Sequence, residues 1–191
     1  YGLVRAEELR ETVFRPVLRE LAGRGEPFRG LLYAGLCLTD DGPKLIEFNA
    51  RFGDPETQVV LPAMTSDLGD LLWASATGTP GTDGVASVPL IWSSDAFVSV
   101  VLASGGYPGS YETGKPITGV DTADAMDGVT VFQAGTAMVD GELVTAGGRV
   151  LAVTAQGPDF HAARLRAYAA ADHIAFDGMH RRNDIGGSPF G

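Results

Sequence analysis

Hydrophobic positions in the first part of the chain follow a helical spacing and then a strand-like one. Apolar residues recur at a four-residue interval, which predicts a helix over residues 5–23. The apolar stripe consists of Leu9, Val13, Val17 and Leu21. Pro16 lies within this stretch, so we expect a kink there. Two apolar runs follow at 31–39 and 44–51, and the sequence Asp40-Asp41-Gly42 between them is typical of a β-hairpin turn.

Two helix starts are predicted after the hairpin. Asp54 is placed to cap a helix that has Pro55 in its first turn, because a short acidic side chain can accept from the free N–H groups of that turn. Ser66 is placed to cap a second helix that ends at Gly78. Residues 78–90 are rich in glycine and proline and predict a connector between domains.

The rest of the chain is predicted to consist mainly of strands. Residues 97–103 form a β-branched run, and Asp140-Gly141 is a typical hairpin turn. The other predicted elements are strands at 129–132, 136–139 and 149–154 and a helix at 159–174. The change in pattern divides the chain into predicted domains at 1–92 and 93–191.

Composition and charge narrow the class of protein. Among the 191 residues, 45% are hydrophobic and 20% are charged, which is the balance of a folded globular chain. The net charge of −10 argues against nucleic acid or an anionic membrane as the main partner, because binding phosphate-rich surfaces needs a basic patch. No apolar run approaches the about 18 residues of a membrane span. Cys37 is the only cysteine, so we expect no internal disulfide and a cytoplasmic location.

The strand predicted at 44–51 carries the strongest chemical pattern. Side chains alternate along a strand, so Glu47, Asn49 and Arg51 are expected on one face. A carboxylate and an amide oxygen are hard ligands of the kind that Mg²⁺ accepts while it also binds nucleotide phosphates. The spacing alone also fits a half-exposed strand with a polar outer face and no ligand.

The segment that follows this strand has two compatible interpretations. A capped helix start at 54–56 needs no ligand. A helix start beside a metal-binding strand is also a suitable place for an anionic substrate. Arg51, Asp54 and Glu56 are then the side chains able to distinguish an amine from a phosphate.

The run from Ile46 to Gln58 resembles the signature of the phosphoribosylamine–glycine ligases, in which an E-F-N strand leads into R-F-G-D-P-E-T-Q. The resemblance extends over nearly the whole chain in the order of the family. It includes the segments 32–36, 105–109 (G-G-Y-P-G), 147–151 (G-G-R-V-L) and 182–186 (R-N-D-I-G).

This resemblance implies a mixed α/β (α+β) fold. The chain is expected to contain the C-terminal part of an ATP-grasp domain, with an antiparallel sheet and helices, followed by a small β-rich domain. The implied activity is the ATP-dependent ligation of glycine to 5-phosphoribosylamine through a glycyl phosphate. ATP and Mg²⁺ or Mn²⁺ are the implied cofactors, and no catalytic protein nucleophile is required.

The resemblance also implies roles for individual residues. Glu47 and Asn49 are expected to hold the metal, and Ile46 to lie near the adenine. Arg51, Asp54 and Glu56 are expected to line the site for glycine and phosphoribosylamine. Two cations of the second domain, Arg149 and Lys115, are candidates for binding the ribose phosphate; each also fits a solvated surface cation. Arg149 follows a Gly-Gly pair that would let the backbone approach a ligand.

Some features of the ATP-grasp pattern are absent from this sequence. The glycine-rich loop and phosphate-binding lysines would precede Tyr1, so we expect the N-terminal half of the enzyme as a partner and no turnover by the 191 residues alone. Residues 31–38 lack a second strand carboxylate, which predicts weak metal affinity for the chain alone. The full enzyme is expected to be monomeric. Another ATP-grasp carboxylate–amine ligase and a non-catalytic ATP-grasp-derived domain are the alternatives.

Overall fold

The computed structural model describes residues 3–78 and 85–187. By its internal contacts the chain forms two compact units, one of Tyr1–Gly53 with Ser66–Leu90 and one of Asp54–Thr65 with Ile91–Gly191. Part of the predicted connector, residues 79–84, lies outside the described residues. The assignment of the domains to 1–92 and 93–191 stays a prediction.

The first unit begins with a helical stretch, as predicted for residues 5–23. It consists of α1 (Leu3–Leu9), a π-helical segment (Arg10–Phe14) and α2 (Arg15–Gly23). The Arg15 N–H donates to the Arg10 carbonyl, which is the wider hydrogen-bond pattern of a π-helix. Pro16 has no N–H to donate, and the widened turn directly before it lets the chain stay helical.

A hairpin, a further α-helix and a short 3₁₀ helix (Val85–Ser87) follow in the first unit. Strands β1 (Tyr33–Thr39) and β2 (Gly42–Asn49) pair antiparallel, which confirms the predicted hairpin. Helix α4 (Leu68–Thr77) is capped by Asp67, whose carboxylate accepts from the Asp70 N–H at 3.0 Å. The predicted cap, Ser66, is wrong because its hydroxyl donates to the Pro89 carbonyl instead, at 2.7 Å.

The second unit is built on a three-stranded antiparallel sheet. Strands β3 (Ala96–Ala103) and β4 (Val129–Gln133) pair with opposite edges of the central strand β7 (Arg149–Gly157). Strands β5 (Thr136–Val139) and β6 (Glu142–Thr145) form a separate hairpin. Its turn is the predicted Asp140-Gly141, in which both residues have positive φ. The unit also contains the short helices α3 (Thr57–Ala63) and α5 (Val120–Asp124).

The core of the second unit lies between this sheet and α6 (Phe160–Ala171). Cross-strand pairs such as Val100 with Val153 and Leu102 with Leu151 share one face of the sheet and are buried. The facing side of α6 presents buried alanines, which allow the helix to approach the sheet closely. Asp159 caps the helix by accepting from the Ala162 N–H at 2.8 Å, so the helix predicted at 159–174 begins as expected and ends at Ala171. None of the described helices combines the length and apolar character needed to cross a bilayer.

Gly119 makes the closest backbone approach among the described glycines of this unit. Its φ is +80°, and a Cβ atom built there would lie 1.8 Å from the His173 carbonyl oxygen. Gly141 has a similar φ of +86° but no atom within 4 Å of such a Cβ. These two positions therefore separate the cost of a left-handed backbone from the cost of a steric clash.

We expect Gly119→Ala to destabilise the chain more than Gly141→Ala. Gly141→Ala should cost only the left-handed penalty of about 1–2 kcal/mol. Gly119→Ala should cost a further ~1–3 kcal/mol because the new methyl group must displace backbone. The measurement is the free energy of unfolding in urea, and equal losses for the two variants would contradict the packing around Gly119.

Candidate functional site

The polar face of the β1–β2 hairpin brings Glu47 and Asn49 together. The Asn49 amide nitrogen donates to Glu47 Oε1 at 2.9 Å, and both residues lie on the face predicted from the strand alternation. Gly35 is paired with Glu47 across the hairpin, and a Cβ there would lie 3.4 Å from Glu47 Cγ. The absence of a side chain at Gly35 therefore leaves room beside the carboxylate.

A β-bulge distinguishes Ile46 from the rest of strand β2. The pairing passes from Gly35 with Glu47 to Leu36 with Leu45, so Ile46 is the extra residue of the irregularity. Its side chain is 68% exposed although it is apolar. Phe48, in contrast, is half-buried and packs edge-on against Phe14 with ring centroids 5.9 Å apart. The bulge thus exposes an apolar side chain at the position immediately before Glu47.

Glu47 and Asn49 fit part of a magnesium site. Among the described residues, no group of three or more His, Cys, Asp or Glu side chains is placed to surround a metal ion. A carboxylate and an adjacent amide oxygen supply two hard ligands, which suits an ion that takes its remaining ligands from nucleotide phosphates and water. The donor set therefore fits a metal that arrives with a phosphorylated ligand.

The segment after the hairpin differs from its predicted local structure. Helix α3 begins at Thr57 with Glu56 as its cap residue, and no side chain caps it. The prediction that Asp54 caps this helix is therefore wrong. Arg51 donates to the neighbouring Phe52 carbonyl at 2.9 Å, and both Arg51 and Glu56 are exposed.

Asp54 is held by residues that are close in space. Arg149 Nη2 lies 3.0 Å from Asp54 Oδ2, and Arg149 Nη1 donates to the Asp54 carbonyl at 3.1 Å. The Gln58 amide nitrogen donates to the other carboxylate oxygen, Oδ1, at 3.1 Å. Two of the predicted substrate-site residues, Asp54 and Arg149, are thus in direct contact.

Strand β7 makes a second contact with the same segment. The Thr154 hydroxyl lies 2.9 Å from the Gln58 carbonyl and 2.9 Å from the hydroxyl of Ser99. Thr154 is 2% exposed, so it is a buried polar residue on the central strand. Sequence reasoning did not identify Gln58 and Thr154 as the residues that hold this segment in place. The available signal was the polar Thr154 within an otherwise apolar run.

The Gly147-Gly148 pair has a packing role that the sequence did not reveal. A Cβ at Gly148 would lie 2.2 Å from the ring of Tyr107 and 3.0 Å from that of Tyr111. A Cβ at Gly147 would lie 3.0 Å from Gly135 Cα. The atoms that closely approach this pair therefore belong to tyrosine rings and to the backbone of Gly135. A side chain at either glycine would collide with them.

Lys115 lies in an acidic environment. Its ammonium group is 2.8 Å from the Glu112 carboxylate and 3.5 Å from that of Asp177, at a cavity of about 130 Å³ that Gly105 and Gly178 also line. The hydrogen bond and the charge of Glu112, with a smaller contribution from Asp177, raise the pKa of Lys115 above its ordinary value. Because two carboxylates face one ammonium group, the local charge is not favourable for a phosphate.

The closing R-N-D-I-G segment is fixed to helix α6. Arg164 donates to the carbonyls of Asn183 at 2.8 Å and Ile185 at 3.0 Å, and the Tyr168 hydroxyl donates to the Arg182 carbonyl at 2.9 Å. Arg182 also donates to the Asp184 carboxylate at 2.8 Å and lowers the pKa of that carboxyl group. This segment of the family pattern therefore has a structural role.

Comparisons with known proteins identify the class to which the hairpin belongs. A family model described as "Phosphoribosylglycinamide synthetase, ATP-grasp (A) domain" matches residues 4–57, which include α1, α2 and the hairpin. A biotin carboxylase domain from Hydrogenobacter thermophilus has the same fold at 15% identity, with a TM-score of 0.57 over 91% of this chain and 37% of that one. Residues 4–57 therefore belong to an ATP-grasp domain.

The second part identifies the family. The model "Phosphoribosylglycinamide synthetase, C domain" matches residues 97–188. The phosphoribosylamine–glycine ligase of Streptomyces coelicolor is 50% identical over 94% of this chain and 42% of its own length. The ligase structure from Thermotoga maritima has a TM-score of 0.77 at 34% identity and covers 93% of this chain and 42% of that one. The chain belongs to the phosphoribosylglycinamide synthetase family, and it spans about 40% of the length of the relatives it matches.

We expect Thr154→Val to destabilise the chain by about 1–3 kcal/mol, because it leaves the Gln58 carbonyl without its hydroxyl donor. The control is Thr130→Val, since Thr130 is the β4 partner of Thr154 in the sheet but is exposed. Its effect should stay within about 0.5 kcal/mol. Urea unfolding of the two variants measures the difference, and equal effects would show that the contact with Gln58 contributes nothing.

We expect Glu112→Gln to lower the pKa of Lys115 more than Asp177→Asn does, because Glu112 is the main cause of the rise. A raised lysine pKa means that the ion pair stabilises the fold below the unfolded-state pKa and is lost as the pH rises through the folded-state value. The stabilisation should therefore begin to fall above about pH 10.4 and be lost once the pH exceeds the raised pKa of Lys115 in the folded chain. NMR titration of the Lys115 side chain in both variants provides the measurement, and a larger change in Asp177→Asn would contradict the observed geometry.

Proposed function

We propose that this chain is part of a cytoplasmic ligase of de novo purine biosynthesis that joins glycine to 5-phosphoribosylamine at the expense of ATP. The products are glycinamide ribonucleotide, ADP and phosphate. The observation that carries the proposal is the Glu47–Asn49 pair on a strand that leads directly into R-F-G-D-P-E-T-Q, within a chain that matches both the ATP-grasp and C domain models of one family. Because the chain spans about 40% of its relatives, the activity is assigned to the longer protein.

The proposed reaction proceeds in two steps. A glycine carboxylate oxygen attacks the γ-phosphorus of ATP, forming glycyl phosphate and releasing ADP. The amine of phosphoribosylamine then attacks the glycyl carbonyl, phosphate leaves, and the nitrogen loses a proton as the amide forms. Neither step requires a covalent intermediate on the protein, so the protein contributes positioning and charge neutralisation.

Glu47 and Asn49 are the residues that would hold Mg²⁺ or Mn²⁺ in this ligase. The bound ion would supply neutralisation of the charge on the nucleotide phosphates. The room that Gly35 leaves beside Glu47 supports this assignment, because the carboxylate can then accept an ion without displacing a neighbouring side chain. The exposure of Ile46 in the bulge supports its proposed contact with the adenine, since an exposed apolar side chain suits the flat face of a base.

The substrate contacts are proposed from the family resemblance together with the local charges. Arg51, Asp54 and Glu56 are proposed to line the site for glycine and phosphoribosylamine. Of the two candidates for the ribose phosphate, Arg149 is favoured, because one carboxylate faces it whereas two face Lys115. Arginine also presents a planar fork of N–H donors that matches a phosphate group.

The decisive test is ADP release with Mg-ATP, glycine and phosphoribosylamine, omitting each substrate in turn. The assay should be run on the 191-residue chain and on the product of the gene extended upstream. We expect release by the longer protein only when both substrates are present, and none by the chain alone. Replacing glycine with other small carboxylic acids distinguishes this ligase from other carboxylate–amine ligases. Activity with another acid and not with glycine would exclude the proposed substrate.

In the longer protein, we expect Glu47→Gln to lower kcat/KM for Mg-ATP by about 100-fold, because loss of a metal ligand removes several kcal/mol of charge stabilisation. Glu142→Gln is the matched control, since Glu142 is an exposed glutamate on strand β6 and is not proposed to bind a ligand. Equal activity of both variants would remove Glu47 from the proposed metal site.

A further inference from the structure

Asp54 has all of its acceptor groups engaged within the second unit. Its two carboxylate oxygens are contacted by Arg149 and by Gln58, and its carbonyl accepts a further hydrogen bond from Arg149. A substrate ammonium group that bound this carboxylate would have to compete with a guanidinium that is always charged. The carboxylate is therefore better placed to hold Arg149 than to bind an amine.

Within the described parts of the chain, Arg149 retains donors for another ligand. A guanidinium has five N–H groups, and the contacts with Asp54 use one on each terminal nitrogen. The side chain is 40% exposed, so it is accessible from solvent. Two contacts to one residue, a carboxylate and a carbonyl, restrict the rotation of the long side chain. The remaining donors consequently have a fixed direction before any ligand arrives.

The segment that contains Asp54 is held in place by the sheet. Arg149 is the first residue of β7, and Thr154 on the same strand contacts the Gln58 carbonyl. Strand β7 thus anchors both ends of the segment from Asp54 to Gln58. Because β7 is hydrogen-bonded on both edges, it is a rigid support for this short segment.

We propose that Asp54 is a positioning residue that acts through Arg149, holding its guanidinium in the orientation that binds the phosphate of the phosphorylated substrate. This inference rests on the proposed ligase function and gives Asp54 a different task from that of an amine ligand. It requires that Asp54 and Arg149 affect the same kinetic parameter. It also requires that the loss of either residue makes the loss of the other nearly irrelevant.

The test is a double-mutant cycle of Asp54→Asn and Arg149→Met in the longer protein. Asn keeps the shape of the side chain but not its charge, and Met keeps much of the length of arginine without donors. We expect each single variant to raise the KM for phosphoribosylamine by about 10-fold or more, as for a lost charge-assisted hydrogen bond. The KM of the double variant for phosphoribosylamine should be at most about twofold higher than that of the single variant with the higher KM. The KM for glycine should change by less than about twofold in all three variants.

Two further variants separate positioning from a general effect on folding. Arg149→Lys keeps the charge but not the fork, and should recover only part of the affinity for phosphoribosylamine. Arg166→Met is the matched control, because Arg166 also donates to a carbonyl of β7, that of Gln156 at 2.6 Å, without contacting Asp54. Its KM for phosphoribosylamine should equal that of the wild type. If Arg166→Met raised the KM for phosphoribosylamine as much as Arg149→Met does, the role assigned to Arg149 would be overturned.

Kinetic results of two kinds would overturn the proposal. If Asp54→Asn raises the KM for glycine and leaves that for phosphoribosylamine unchanged, Asp54 is an amine ligand. If the two substitutions act additively, they are independent. Failure of the wild-type protein to release ADP with both substrates would refute the ligase function instead. The coupling would then still be measurable by amide hydrogen exchange at Glu56, Thr57 and Gln58. Equal increases in exchange are expected in the two single variants, with no further increase in the double variant, and unequal increases would contradict the pair.

Discussion

The two-sided hydrogen bonding of strand β7 is the constraint on which the second unit depends. Pairing with β3 and β4 on both edges buries its backbone, and its apolar face packs against the alanines of α6. The same strand carries Arg149 at its start and the buried Thr154 further along. Both polar residues reach the segment from Asp54 to Gln58. A strand of the C domain therefore supports the second half of the family signature.

The first half of the signature depends on the hairpin instead. Strand alternation places Glu47 and Asn49 on one face, and the paired Gly35 leaves space beside them. The bulge at Ile46 adds an exposed apolar residue immediately before the carboxylate. The irregular strand therefore carries an exposed apolar residue directly before the two polar residues that are proposed to hold the metal.

The cationic side chains of the second unit differ in the carboxylates that surround them. Among the described residues, Arg149 pairs with the carboxylate of Asp54 and has further N–H donors, whereas Lys115 meets the carboxylates of Glu112 and Asp177. Arg182 is engaged with Asp184 in the segment that α6 holds in place. Residues of the same formal charge consequently lie in different electrostatic surroundings, and these surroundings are the reason why Arg149 rather than Lys115 is proposed to bind a phosphate.

Elements set by local interactions were predictable from the sequence. The first helix, the β1–β2 hairpin and the Asp140-Gly141 turn depend on neighbours within a few residues, and the Glu47–Asn49 pair follows from alternation within one strand. The bulge at Ile46 was not predictable, because it depends on the register with β1.

Contacts between distant parts of the chain were decided only by the tertiary structure. Asp54 resembles a helix cap in the sequence, but its partner Arg149 is 95 residues away and the ion pair replaces the cap. Gly148 resembles a ligand-binding glycine, yet the ring of Tyr107 fills the space beside it. The sequence by itself determined the fold class and the family resemblance, and its prediction that Glu47 and Asn49 hold a metal stays a prediction. The three-dimensional packing decided which charges are paired, because such contacts depend on which distant residues the folded sheet brings together.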